Sequence, residues 1–578
     1  MRFLGVCLIA LPLALARPAV VMGQSLERTQ VPCKGQIITR IEVHTRPPFA
    51  IEGSQVQQRL ARRLTEIHAT TNPEIIARFL ALKPGDRCTE LRRAESERIL
   101  RAQPYLADAS VLTFADENGT VFISVLTVDE VSLILGGGGS SKPPYFRGFR
   151  LGEANLMGEA VSLDGSWRYN ADFHDAVYAR LTDYQVLGRP YQLHMELGKR
   201  ERGTDWAFEA SHPFLTDLQS VSWRMTGGSR DSFSRFRRPD GPSLFLPFRR
   251  AYADAGGVFR VGHPGRIALI GASVSYEREL PGATPLMLIA PQEFVPVIGP
   301  PLTSPPRYEA HRTARINALF GFRDLQFMQV TGFESLDGFQ DVRKGVELAT
   351  LVGNGVEALG GSERDLFLSG DLYAGGGSPS VFGALELVGE GRKASSTDAW
   401  DGLLASGRAA VYMKQVARHT ILASTEWSGG WRQRIPFQLA LAEKDGGPLG
   451  YRHSSLAGGR RLVTRLEDRI FLGPLKQFAS IGVAPFVNTG ELWEGDAPFG
   501  TNTGVRYSTG ISLLASVPPR SQRLWRLDVS FPIHPDAGAK KWEVRITSHN
   551  LTRMFWKEPA DVARNRERAI PTSIFNWP

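Results

Sequence analysis

The chain has 578 residues, 42% of them hydrophobic, and carries a formal net charge of +9. That length accommodates more than one domain. A basic balance can suit nucleic acid, but the arginines are scattered among strand-like segments and no nucleic-acid module gathers them, so nucleic acid is not the expected partner.

Arg2 is followed by an apolar run, residues 3–16, and by small residues around Val21-Met22-Gly23. This is the pattern of a secretory signal peptide, expected to span residues 1–23, with cleavage after Ala16 as the second choice. The run falls short of the roughly 20 residues that a spanning helix needs. No later stretch is long and apolar enough either, so the mature chain is expected to be exported, as a soluble protein or a β-barrel. Export also frames the cysteines: Cys7 leaves with the leader, and Cys33 and Cys88 are either a disulfide or two free thiols.

Residues 24–131 read as a small α/β module. Residues 37–43 alternate as a strand, and Asn72-Pro73 offers a cap and a first helical proline for a helix through Phe79. Lys83-Pro84-Gly85-Asp86 makes a turn before a charged helix over 89–103, with Leu91, Ala94, Ile99 and Leu100 as its inner side. Strands over 109–115 and 120–128 meet at Asn118-Gly119, a strong hairpin signal. The order is β-α-α-β-β. The stretch 85–111, GDRCTELRRAESERILRAQPYLADASV, resembles the POTRA repeat. That resemblance implies a periplasmic docking module that pairs its strand edge with an extended client, the plainer alternative being a spacer.

Gly136 to Gly139 and then Ser140-Ser141-Lys142-Pro143-Pro144 break the pattern, so 132–144 is read as a linker. Beyond it the period is two. Val161, Leu163, Gly165, Trp167 and Tyr169 alternate with Ser162, Asp164, Ser166, Arg168 and Asn170, and Trp525, Leu527, Val529 and Phe531 alternate with Arg526 and Asp528. A soluble antiparallel sandwich gives the same alternation. The leader, the aromatics near strand ends and segments approaching about 9–11 residues favour instead a transmembrane barrel over residues 145–556. At roughly 25 residues per strand with its connection, this all-β barrel would have about 16 antiparallel strands. Phe555-Trp556 is read as its aromatic end, leaving a tail, 557–578, that caps the barrel mouth or lies disordered in the periplasm.

Asn155-Leu156-Met157-Gly158, Asp341-Val342-Arg343-Lys344-Gly345, the glycine-rich basic stretch 445–461 and Phe486-Val487-Asn488-Thr489-Gly490 follow one another in a telling order. In this the chain resembles the bacterial surface-antigen superfamily of outer-membrane barrels, which includes the BamA and TamA insertases and the two-partner secretion transporters. In that family a Val-Arg-Gly-Phe/Tyr motif on the sixth extracellular loop folds into the barrel, and its arginine meets the aspartate of a Phe-x-Asp-x-Gly motif. Here Leu449, Gly450 and Tyr451 occupy the loop motif, with Leu449 in place of the arginine. Phe486, Asn488 and Gly490 occupy the partner-strand motif, with Asn488 in place of the aspartate. Both charges are absent together, so neither is stranded. Arg452, one residue further on, is expected either to reach the Asn488 amide oxygen or to be a solvated loop residue. Arg465, Glu467, Arg469 and Asp528 alternate inward under the strand assignment, as a charged wall with local pairing.

Catalytic signals are few. Gly271-Ala272-Ser273-Val274-Ser275 lacks the last glycine of a nucleophile elbow, and the histidines show no ligand spacing, so no enzyme, cofactor or metal site is expected. The resemblance implies assembly or translocation of proteins at the outer membrane. Membrane lipid would surround the barrel, the POTRA domain would stand in the periplasm, and an unfolded client barrel or secreted protein would engage the POTRA edge and the barrel seam. The alternative is an outer-membrane transport channel or structural barrel without insertase activity.

Overall fold

The computed structural model describes residues 29–66, 68–139, 143–170, 172–303, 307–395, 398–536, 540–550 and 555–566. The expected signal peptide with Cys7, residues 140–142 of the expected linker and residues 567–578 of the expected tail lie outside the described residues.

The N-terminal domain folds in the order β1 (Lys34–Arg46), α1 (Gln55–Glu66), α2 (Pro73–Arg78), β2 (Arg87–Thr89), α3 (Glu90–Arg101), β3 (Leu106–Ala115) and β4 (Val121–Asp129). Its sheet runs β2-β1-β4-β3, with β1 parallel to β4. Asn72 Oδ1 accepts the Glu74 N–H at 3.0 Å and Pro73 opens α2, as the cap signal requires. Asn118 (φ 55°) and Gly119 (φ 72°) take the left-handed angles of the β3–β4 turn. A disulfide joins Cys33 to Cys88, Cα atoms 5.0 Å apart, and fastens the segment before β1 to β2. Helix α3 departs from its expected inner side. Ile99 and Leu100 are buried, but Leu91 and Ala94 are exposed, while Glu95, Arg98 and Arg101 are buried. The cause is that α3 is covered twice, by its own sheet and by the barrel, so its polar side is also enclosed.

The second unit is a closed barrel. Its wall begins with β5 (Leu133–Gly139), β6 (Phe146–Glu153), β7 (Val161–Arg168), β8 (Ala176–Asp183) and β9 (Gln192–Lys199). It continues through β10 (Thr204–His212), β11 (Val221–Phe236), β12 (Leu244–His263) and β13 (Arg266–Pro281). A hairpin, β14 (Leu286–Ala290) and β15 (Glu293–Pro296), extends the rim by pairing onto β12. Because β13 pairs directly with β16 (His311–Thr331), the hairpin adds nothing to the girth. Then come β17 (Phe339–Gly355), β18 (Asp365–Gly377), β19 (Val381–Ala394), β20 (Trp400–Val416) and β21 (His419–Trp431). The next connection holds a two-residue pairing, β22 (Leu439–Ala440) with β23 (Ala457–Gly458). The wall ends with β24 (Arg460–Leu475), β25 (Ala479–Trp493), β26 (Arg506–Ser516), β27 (Arg523–Pro532) and β28 (Glu543–Asn550), and β28 lies beside β5 to close the ring.

One count and two boundaries change. The wall has twenty strands among the described residues rather than about 16, because connections such as 264–265 and 417–418 are so short that each strand takes only about 21 residues with its connection. The glycine run read as a linker is a wall strand: β5 pairs with β6 from Leu133↔Glu153 to Gly138↔Gly148, and this pairing overrides the weak strand preference of glycine. Among the described residues the last wall strand ends at Asn550, and Phe555-Trp556 lie in the lumen and not in a strand.

The two phases of the strands settle which surface is apolar. Leu151, Leu163, Leu197, Trp206, Met225, Val274, Ile316, Leu466 and Ile546 are exposed on the outside. Their neighbours in sequence or register, among them Asp164, Asp205, Arg224, Ser273, Arg315 and Glu467, are buried. A soluble sandwich would reverse this, with the apolar phase inside. An apolar exterior around a polar interior is the arrangement of a barrel in lipid, where closure leaves no unpaired edge.

An even number of wall strands brings both ends of the wall to one end of the barrel, and the N-terminal domain is docked there. Arg101 donates to both carboxylate oxygens of Asp341 in the β16–β17 region at 2.9 Å each, and Arg98 donates to the Leu215 carbonyl at 3.0 Å. Gln477 reaches the Glu52 carbonyl at 2.9 Å, and the Phe49 and Phe478 rings lie 5.7 Å apart. Gly158 takes φ 77° where any Cβ would strike the Thr70 carbonyl, which accounts for glycine in the Asn155–Gly158 motif.

Candidate functional site

The connection 432–459 leaves the end opposite the domain and folds into the barrel. Its residues are apolar where they meet one another and the wall: Phe437, Leu439, Leu441, Leu449 and Tyr451 are all buried. Leu441 and Tyr451 pack with Leu492 of β25, so the loop has a core of its own. The glycine-rich stretch turns tightly around Gly446 (φ 119°) and Gly450 (φ 90°).

The loop motif meets its partner strand by fit rather than by charge. A Cβ on Gly490 would lie 2.6 Å from Pro448, so the absence of a side chain on β25 is what lets the loop settle. Phe486 is buried and its ring fills the space over Gly510, where a Cβ would come within 2.5 Å. Gly450 faces Pro532 and Ser508, and Tyr451 donates its hydroxyl to the Tyr507 carbonyl at 2.9 Å. Leu449 is buried.

Arg452 does not reach Asn488. It is an exposed residue whose backbone N–H donates to Glu543 at 3.1 Å, while the buried Asn488 directs its amide to Ser508 Oγ at 3.5 Å. The chain passes Tyr451 with that ring anchored inward, and this turns the next side chain away from β25.

The ion pairs that hold the loop lie elsewhere. Asp445 accepts from Arg237 at 2.5 Å and from Arg564 at 2.9 Å. Burial works against its charge, but the Arg237 and Arg564 guanidiniums outweigh it and hold the Asp445 carboxyl below the usual range. Arg461, at the foot of the loop on β24, donates to both oxygens of Asp561 at 2.6 and 2.9 Å and to the Ala440 carbonyl at 2.7 Å. Glu443 pairs with Arg545 of β28 at 2.6 Å. No pattern at family spacing marks these groups, because four of the partners come from distant parts of the chain.

Below the loop the wall is charged, as the alternation predicts. Glu467 receives Arg465, Arg469 and Arg526 at 2.5, 2.7 and 2.9 Å, and Arg526 also reaches Asp528 at 3.3 Å. One carboxylate shared by three guanidiniums ties β24 to β27 along the inner wall and makes a local network instead of a row of like charge.

Residues 555–566 also lie in the lumen. Phe555 stands against Tyr373 with ring centroids 5.9 Å apart, and Arg408 of β20 donates to its carbonyl at 2.9 Å. Glu558 is met by Ser406 and by Arg566. A short helix, α4 (Ala560–Asn565), then reaches the loop, where Val562 joins Leu404, Phe437 and Leu439. The tail is thus neither a cap at the mouth nor free of the barrel over these residues.

Two features of the N-terminal domain bear on partners. The outer edge of β3, one of the two edges of the sheet, is occupied. Val31 N–H donates to Thr113 at 3.0 Å and Ala115 N–H to Thr29 at 3.1 Å. Val111 gives its N–H to Glu97 at 3.0 Å and its carbonyl accepts from Arg93 at 2.9 Å, and Arg101 reaches the Ala109 carbonyl at 3.4 Å. Burial again opposes the charge of Glu97, yet Arg101 and the Val111 N–H hold its carboxyl below the usual range. Such covering blunts an edge against indiscriminate pairing. The second feature is a chain of bonds at the base of β5: Ser132 Oγ to His68 Nδ1 at 2.9 Å, and His68 Nε2 to Asp129 at 2.9 Å. Asp129 also accepts from Thr71 N–H and hydroxyl at 2.8 Å each, and Ser132 is 4% exposed, so the group fastens the domain to the first wall strand.

Fold and lumen together define a transmembrane-type β-barrel with a folded-in loop and a docked N-terminal α/β domain. The sequence matches no protein-family model and no curated protein. Solved structures similar to it over most of its length include BamA from Haemophilus ducreyi lacking POTRA domains 1-3, at 12% identity over 89% of this chain and 85% of that one, TM-score 0.32. CdiB from Escherichia coli is similar at 10% identity over 92% of each chain, TM-score 0.38, and CdiB from Acinetobacter baumannii at 9% over 89% of this chain and 74% of that one, TM-score 0.38. Likeness at this level concerns fold alone.

Proposed function

We propose that this chain is an outer-membrane barrel of the BamA/TamA-like surface-antigen superfamily, with residues 29–129 as a single POTRA domain in the periplasm, and that it assembles or translocates proteins. The observation that carries the reading is the seating of Pro448-Leu449-Gly450-Tyr451 inside the barrel against Gly490 and Ser508, which reproduces the loop-to-strand contact of that family without its ion pair. A short, glycine-rich β5 beside β28 supports it, since glycines add no side-chain packing to a seam. The test is reconstitution in liposomes with an unfolded barrel client. The expected result is faster, protease-resistant client folding than in liposomes holding an unrelated barrel of similar size; equal rates contradict the reading.

The covered edge of β3 favours a second reading, a transport channel without insertase activity, because a client strand has no free edge to join there. Single-channel recording separates the two. Steady conductance without any effect on client folding selects the channel.

A further inference from the structure

We propose that the lumen holds a binding site for a short polypeptide segment and that residues 555–566, irregular and then helical, occupy it in cis as a removable plug under the loop. The inference rests on the proposed role of the barrel in handling protein chains. Its evidence is the kind of contact the wall makes. Three main-chain carbonyls of the segment are read by wall arginines: Phe555 by Arg408 at 2.9 Å, Arg564 by Arg250 at 3.1 Å and Arg566 by Arg250 at 2.7 Å. Contacts to carbonyls recognise a chain whatever its sequence. Arginine suits the task because its donors are fixed in a planar fork and it keeps its charge.

Side-chain contacts add a preference. An aromatic residue is received by Tyr373 and the Arg408 guanidinium, which lies 4.9 Å from the Phe555 ring centroid. Six positions on, an acidic residue is received by Arg461, and the Ala440 N–H donates to the same Asp561 carboxylate at 2.9 Å. Val562, next after Asp561, closes an apolar contact with the loop. The preferred ligand is an aromatic-led segment with a carboxylate six residues further along, in the first turn of a short helix. Occupied, the site ties the loop residues Ala440 and Asp445 to the chain's own end. Vacated, it takes Asp561 from Arg461, which keeps the Ala440 carbonyl, and the segment's carbonyls from Arg250, which keeps Glu277 and Glu279.

The test is photo-cross-linking of the full chain carrying Phe555→p-benzoylphenylalanine, an aromatic exchange that keeps the ring. Adducts are mapped with and without a synthetic peptide of the sequence FWKEPADVARNR. A tethered segment acts at an effective concentration of about a millimolar, so the peptide is added at several times that level. The expected result is adducts on β18 and β20 that fall by more than half with this peptide, and that persist with a scrambled peptide or one bearing arginine at the Asp561 position. Adducts unaffected by the matching peptide, or absent from β18 and β20, overturn the proposal. As a second variant, Asp561→Arg in planar bilayers is expected to raise open probability, and the free peptide to restore closure; a closed record in heat-modifiable, folded protein overturns it. Both readouts report binding in the lumen and are independent of whether any client is assembled.

Discussion

Arg461 and Asp561, one hundred residues apart in the chain, form a two-point ion pair of 2.6 and 2.9 Å in which each side chain is 2% exposed. A pair so enclosed is held by geometry: removing one partner leaves a buried charge without compensation. Arg461→Ala is therefore expected to destabilise the lumen by roughly 3–5 kcal/mol. The double change Arg461→Leu with Asp561→Leu is expected to lose much less. Unfolding midpoints of the singles and the double in detergent check the difference.

The seating of the loop rests on a missing side chain. Gly490→Ala would place a methyl against Pro448, and the loop is expected to lift from β25. Limited proteolysis within 445–459 should then be faster than in wild type. Arg452→Ala should leave the protection unchanged, because that side chain is exposed and its anchoring hydrogen bond comes from the backbone.

Acid should loosen the same loop through Asp445. Its carboxyl is held down by Arg237 and Arg564, so it titrates lower in the folded state than in the unfolded one, where about 3.9 is usual. The stability it contributes is present above the unfolded value and lost as pH falls through the folded value. Pepsin cleavage of the loop is expected to stay slow through pH 4 and to rise below it, and Asp445→Asn is expected to remove that step.

Edge covering in the N-terminal domain has a measurable signature as well. Glu97→Ala removes the acceptor of the Val111 N–H and leaves Arg93 and Arg101 short of a partner. Hydrogen exchange at Val111 should speed up by at least tenfold, with β4 amides unaffected. A peptide that adds as a strand should bind the variant and not the wild type.

Much of this architecture is legible in residue order. The period of two in Leu163 against Asp164, or Trp525 against Arg526, reports the two faces of the wall because each strand residue sees only one side. The cap at Asn72-Pro73 and the turn at Asn118-Gly119 are local and survive into the fold for that reason. What depends on distant partners is not legible. The glycines of β5 look like a breaker until β6 is beside them. Helix α3 hides its polar side because the barrel covers it. The ion pairs that hold the loop, Arg461 with Asp561 and Arg237 with Asp445, join segments that sequence spacing cannot connect.

The most direct measurement of the central claim is a seam lock. Cysteine pairs placed along β5 and β28 are oxidised in the reconstituted barrel, and the folding of a client barrel is followed before and after reduction. If the chain assembles proteins through this seam, locked protein is inactive and reduction restores the rate. Client folding at full rate with the seam locked would contradict the account.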